Sequence, residues 1–136
     1  MIKTISMMHI GVFMTDPEKA AAWYSTHMDF KVVGDFTTAG GHRAIFITSD
    51  STGVTYELVG QPRGSELYAS LLGGPADIAH IAYEVEDVEA AFAQAQAEGL
   101  DIDRGITDLP SFWANGYRYF MVRTATGEIV EFGREL

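Results

Sequence analysis

The chain has 136 residues, of which 47% are apolar, carries a formal net charge of −10 and contains no cysteine. That length and apolar share suit one folded domain with a real core and argue against disorder. The acidic balance and the scattering of the nine Lys and Arg disfavour a nucleic-acid partner and an anionic membrane surface, while the lack of cysteine excludes disulfides and thiolate metal sites and favours a cytoplasmic location.

Residues 5–13 alternate as a strand does, with Ile5, Met7, His9, Gly11 and Phe13 on one face. Asp16 is the expected N-cap of a helix with Pro17 at its first position, running to about Met28. Ala20, Trp23, Tyr24 and His27 share one side of it, and Trp23 and Tyr24 are expected to pack onto a sheet. Strands follow at about 30–37, 42–49 and 54–60, separated by Gly40-Gly41 and Asp50-Ser51-Thr52-Gly53. Residues 61–77 read as a connection with a short helical turn near 65–72.

The pattern then restarts. A strand is expected at 78–85 and a helix from Val88 to about Glu98, capped by Asp87 and striped by Val88, Ala91, Phe92 and Ala95. Strands follow at about 101–106, 117–124 and 128–133, with an aromatic loop from Leu109 to Gly116 before the second of them. Each half is thus βαβββ, and the fold class is α+β. Lys3, the apolar stretch Ile5–Met14 and Ala20-Ala21-Ala22 loosely imitate a signal peptide, but Ser6, His9, Gly11 and Asp16-Pro17-Glu18-Lys19 break the pattern. No apolar run approaches the roughly 20 residues of a membrane-spanning helix.

The two halves repeat each other in detail. His9-Ile10-Gly11-Val12 precedes Asp16 and Glu18 as His80-Ile81-Ala82-Tyr83 precedes Asp87 and Glu89. Thr52-Gly53 leads to Glu57-Leu58 as Thr126-Gly127 leads to Glu131-Phe132. A carboxylate in mid-strand among apolar residues is costly to bury alone. Two of them at matching positions, with two matching histidines, can converge on one metal ion. His27 and His42 have no repeat partner and are read as surface or helix-face residues.

The His9–Val12 strand, the following Asp16-Pro17-Glu18-Lys19 and Trp23-Tyr24 helix, and the terminal Gly127-Glu128-Ile129-Val130-Glu131-Phe132 resemble the vicinal-oxygen-chelate superfamily, the glyoxalase and bleomycin-resistance fold. The resemblance covers nearly the whole chain, as a single domain with modules at about 1–60 and 78–136. It implies a cupped mixed sheet around one divalent ion, with His9, Glu57, His80 and Glu131 as ligands. This set is similar to that of short bacterial lactoylglutathione lyases (glyoxalase I); methylmalonyl-CoA epimerases are also similar but commonly carry Gln where Glu57 stands.

The resemblance implies a metal-dependent lyase or isomerase acting through an enediolate on a small α-oxo or α-hydroxy carbonyl compound. Glu131 would be the base, with Glu57 the symmetric alternative. An all-N/O ligand set suits Ni, Co, Zn, Mn or Fe(II). Gln61, Phe112, Trp113, Asn115 and Arg118 are the candidate substrate contacts. The segment Phe112-Trp113-Ala114-Asn115-Gly116-Tyr117 is either a lid over the substrate or a packed dimer contact. The first strand lacks the Arg that glyoxalase I enzymes carry after the first ligand; it reads Ile10-Gly11-Val12-Phe13-Met14. The metal site is therefore better supported than a glutathione cosubstrate. A homodimer is expected, with the cup formed within one chain or by exchange of modules between two. Rival readings are a non-catalytic binding or resistance protein of the same fold and a related metal-dependent epimerase or dioxygenase.

Overall fold

The computed structural model describes residues 1–136. Its elements follow the order β1 (Ser6–Met14), α1 (Pro17–His27), β2 (Phe30–Thr37), β3 (Arg43–Ser49), β4 (Thr55–Gly60), α2 (Glu66–Leu71), β5 (Asp77–Glu84), α3 (Val88–Ala97), β6 (Asp101–Leu109), β7 (Tyr117–Arg123) and β8 (Ile129–Glu135). The chain forms two compact units, one of residues His9–Ala79 and one that joins Met1–Met8 to His80–Leu136.

In the first unit the strand order is β2-β3-β4-β1. The hairpins β2–β3 and β3–β4 are antiparallel, whereas β1 lies parallel to β4. The parallel pair is possible because α1 and two strands intervene and carry the chain back. Asp16 caps α1 by accepting a 3.0 Å bond from the Lys19 amide, a contact of about 1 kcal/mol. Ala21, Phe30, Ile45, Ile47 and Leu58 form the core between helix and sheet, with Tyr24 and Tyr56 packed against it. Phe30 stacks on Tyr56 with ring centroids 5.6 Å apart, and Tyr24 meets Phe30 at 5.0 Å.

The apolar stripe of α1 is rotated from its expected position. Pro17 and Ala21 face the sheet, Tyr24 follows them, and Trp23 is 54% exposed. Trp23 instead lies against Tyr24 and His27 on the outer surface. The reason is proximity: Gly60, at the end of β4, lets the start of the helix lie so close that a Cβ there would fall 2.9 Å from the Pro17 ring. That anchor turns Ala21 inward and Trp23 outward.

The second unit repeats the plan with strand order β5-β8-β7-β6 and a parallel β5–β8 pair. Asp87 caps α3 through a 2.9 Å bond from the Ala90 amide. Val85, Val88, Ala91, Ala95, Phe120, Val122 and Phe132 form its core, as the stripe on α3 predicts. Residues 1–8 belong here because Ile5 donates its amide to the Glu84 carbonyl at 2.8 Å and Ser6 Oγ donates to the Glu84 carboxylate at 3.1 Å. β6 is longer than its sequence pattern predicts. It continues to Leu109, opposite Tyr117, past register shifts between Ile102 and Thr107. Bulges erase the alternation by which a strand is recognised. No helix is long and apolar enough to cross a membrane.

Candidate functional site

In the first unit, His9 on β1 and Glu57 on β4 are both buried, and His9 Nε2 lies 3.0 Å from Glu57 Oε2. The parallel register sets this pair: Gly11 lies beside Glu57, and His9 is one same-face step earlier. Phe46, opposite Glu57 on β3, meets the His9 ring edge-on at 5.2 Å. Phe46 braces the imidazole from across the sheet, a role that its place in an apolar run of sequence does not advertise.

The second unit contains the same arrangement. His80 on β5 and Glu131 on β8 are buried, and His80 Nε2 lies 3.4 Å from Glu131 Oε2. Here Ala82 takes the place of Gly11 beside the carboxylate. Both histidines thus stand one same-face step before a small residue that leaves room for the glutamate. The Tyr117 hydroxyl donates to Glu131 Oε1 at 2.8 Å. Tyr117 stands at the end of the aromatic loop, and nothing in the sequence marks it as the partner of a residue fourteen positions later.

The donor atoms suit a divalent ion. Two atoms each about 2.1 Å from one ion, in octahedral or tetrahedral positions, are separated by roughly 3.0–3.4 Å. The His9–Glu57 and His80–Glu131 separations of 3.0 and 3.4 Å lie in that range. Imidazole nitrogens and carboxylate oxygens are also the donors that borderline divalent ions accept. Each buried His–Glu pair thus offers an imidazole nitrogen and a carboxylate oxygen at a spacing that a hydrogen bond or a shared ion gives equally.

The other candidate residues differ in their burial and partners. Gln61 is 7% exposed and continues from β4. Its amide nitrogen reaches the Val59 carbonyl at 3.5 Å, and it lines a polar cleft of about 540 Å³ with Thr15, Arg43, Arg63 and Tyr68. Phe112 is fully buried, Trp113 is partly buried and Asn115 is exposed. Trp113 has φ 57°, a left-handed backbone that costs a bulky residue roughly 1–2 kcal/mol. Arg118 does not share the face of Glu131. It alternates with Tyr117 and Tyr119, and its guanidinium grips Asp108 at 2.7 and 3.0 Å and also reaches Glu89. That cation holds the Asp108 carboxyl below its usual range. The charge of Arg118 is thus spent on the surface of its own unit. His27 is exposed, and His42 closes a turn with Thr38.

This fold and these paired sites define a class. The model of the Glyoxalase/Bleomycin resistance protein/Dioxygenase superfamily matches residues 6–132, and the chain belongs to that superfamily. Among individual proteins it is similar to the uncharacterized protein YwbC of Bacillus subtilis (strain 168), with 28% identity over 127 residues that span 91% of this chain and 93% of that one. Among solved structures, methylmalonyl-CoA epimerase from Mycobacterium tuberculosis matches with a TM-score of 0.77 and 19% identity, covering 99% of this chain and 91% of that one. A methylmalonyl-CoA epimerase in complex with methylmalonyl-CoA and NH4+ matches at 0.73 and 20%, over 96% and 94% of the two chains. A hypothetical protein from Bacillus halodurans C-125 matches at 0.76 and 19%, over 96% and 94%. At these identities the likeness is one of fold.

Proposed function

We propose that this protein is a metal-dependent isomerase or lyase of the glyoxalase type, acting through an enediolate on a small α-oxo or α-hydroxy carbonyl compound. The observation that carries this reading is the buried His–Glu pair found in the same register in both units. On this reading His9, Glu57, His80 and Glu131 together bind one divalent ion, of Ni, Co, Zn, Mn or Fe(II). Two neutral imidazoles and two carboxylates balance its charge. When bound, the ion would polarise the substrate carbonyl and offset the negative charge that develops on its oxygen.

The protein's own groups do the rest. Glu131, once it loosens its hold on the ion, takes the α-proton on Oε2 and returns it to the neighbouring carbon, with Glu57 as the symmetric alternative. Gln61 offers an amide to the polar end of the substrate. Phe112 and Trp113 keep water from the reacting carbon, and the protein works as a cytoplasmic homodimer. Glutathione is not assigned as cosubstrate, because no Arg follows His9 on β1.

Epimerisation is the second reading, favoured by the fold likeness to methylmalonyl-CoA epimerases. It differs in that a proton returns to the carbon that lost it but on the opposite face, from an acid other than the base that removed the first. A deuterium wash-in experiment tests both readings. Metal-loaded protein is incubated in D2O with α-oxo aldehydes and several thiols, with α-hydroxy carbonyl compounds and with branched malonyl thioesters, and α-proton loss is followed by NMR. Exchange with the first two groups supports the glyoxalase reading, and exchange only with thioesters supports the epimerase. The absence of both exchange and isomerised product in the NMR spectra, with all of them, would overturn the catalytic proposal and leave a binding protein.

A further inference from the structure

We infer that Tyr117 is the positioning residue for Glu131, and that Gly133 is a glycine in order to let it be so. The inference rests on the metal-site reading above and deepens it.

The register of β7 and β8 sets the problem. Tyr117 lies opposite Glu135, Tyr119 opposite Gly133 and Met121 opposite Glu131, all on one face. Tyr117 is therefore two same-face steps from the carboxylate it bonds, at 2.8 Å. Its ring spans that distance only by lying along the strand, across Gly133. A Cβ at position 133 would stand 2.5 Å from the Tyr117 hydroxyl oxygen, 2.8 Å from Cζ and 2.8 Å from Tyr119 Cβ. Gly133 does not have the positive φ that favours glycine elsewhere in the chain. Clearance for the tyrosine, and not backbone conformation, accounts for it.

The ring is also held by its same-face neighbour. Tyr119 stacks on Tyr117 with centroids 5.9 Å apart and an interplanar angle of 27°. Tyr117 is 4% exposed and Glu131 3%. The phenol occupies Oε1, which leaves Oε2, the oxygen that faces His80, to bind an ion or take a proton. A carboxylate tied by one oxygen does not rotate to exchange the two, so the bond fixes which oxygen does the chemistry.

The repeat shows that this is an addition to the site and not part of the common plan. Phe46 lies opposite Glu57 as Met121 lies opposite Glu131. Counting back along the strand, His42 and Ala44 stand where the second unit has Tyr117 and Tyr119, and Val59 stands where it has Gly133. No phenol is available at that place beside Glu57. The two glutamates are equivalent in register, and the residues at the matching places beside them differ.

The test is Tyr117→Phe, which keeps the ring and its stacking and removes only the hydroxyl. Metal affinity is measured by chelator competition with Mn(II) and Co(II), together with the Co(II) absorption spectrum and the melting temperature of the metal-free protein. The expected result is a loss of metal affinity of roughly 10–100-fold, typical when a ligand's hydrogen-bond partner is removed. The Co(II) spectrum should change, and the circular dichroism spectrum should stay that of wild type. Gly133→Ala should give the same spectral change if it folds; if it does not, Tyr117→Phe alone decides. Unchanged affinity and spectrum in Tyr117→Phe, with wild type binding metal normally, would overturn the positioning role and leave the metal-site reading intact. A wild-type protein that binds neither ion would overturn the metal-site reading, and the inference with it.

Discussion

His9 Nε2 and Glu57 Oε2 lie 3.0 Å apart in a buried part of the first unit, a separation that a hydrogen bond or a shared ion gives equally. If the four ligands act together, His9→Ala and His80→Ala should each reduce the metal content of purified protein from near one ion per chain to a small fraction. Elemental analysis by mass spectrometry, on protein prepared without chelators, checks this. An effect of only one of the two substitutions would refute a shared ion.

The two carboxylates should separate under conservative substitution. Glu57→Gln keeps the shape and removes the charge, so metal binding weakens while some turnover survives. Glu131→Gln retains at least part of the metal and loses turnover, because an amide cannot accept the α-proton. Steady-state kinetics beside metal titration reads both effects. Full activity in Glu131→Gln would exclude it as the base and move that role to Glu57.

Gly60→Ala tests the contact that sets the rotation of α1. The added methyl would fall 2.9 Å from Cγ and Cδ of Pro17, and a closed proline ring has little freedom to yield. Overpacking of this kind costs about 1–3 kcal/mol, visible in urea unfolding as a lower midpoint with unchanged slope. By contrast Trp23→Ser, on the outer face, should change stability by no more than about 0.5 kcal/mol.

Asp29 provides a pH dependence with a definite sign. Its carboxylate accepts bonds from Ser49 Oγ at 2.8 Å, from Ser51 Oγ and from the Ser51 amide at 3.3 Å. Those from Ser51 and then Ser49 are the main causes that hold its pKa below the usual 3.8. A carboxyl with a depressed folded pKa adds stability above its unfolded value and loses it as pH falls through the folded one. Asp29→Asn should therefore lower the melting temperature at pH 7. The gap from wild type should narrow below about pH 4 and vanish once the carboxylate is protonated. A constant gap across that range would show that the loss is one of packing.

Much of this molecule is local enough to be read along the chain. Asp16 and Asp87 cap helices because a short carboxylate one step before a helix can reach the free amides of its first turn. The strand at 78–85 alternates because Tyr83 and Val85 pack on the core beneath α3 while His80 and Ala82 face the other way. The two histidines and two glutamates stand out because the halves repeat, so matching positions reinforce one another. These features depend on bond geometry and on periods of two and 3.6 residues, which neighbours in sequence suffice to set.

What the tertiary structure alone decided concerns partners that the chain does not place side by side. Trp23 and Tyr24 are adjacent and chemically alike, and only the approach of Pro17 to Gly60 turns one outward and the other into the core. Arg118 could have served a substrate by composition, but the register of β6 against β7 puts Asp108 opposite it and takes up its charge. Tyr117 reaches Glu131 because β7 and β8 align Tyr119 with Gly133 and leave a lane for the ring. Each outcome depends on close contact between distant segments, and a register shift of one residue would send Tyr117, Arg118 and Tyr119 to the opposite face.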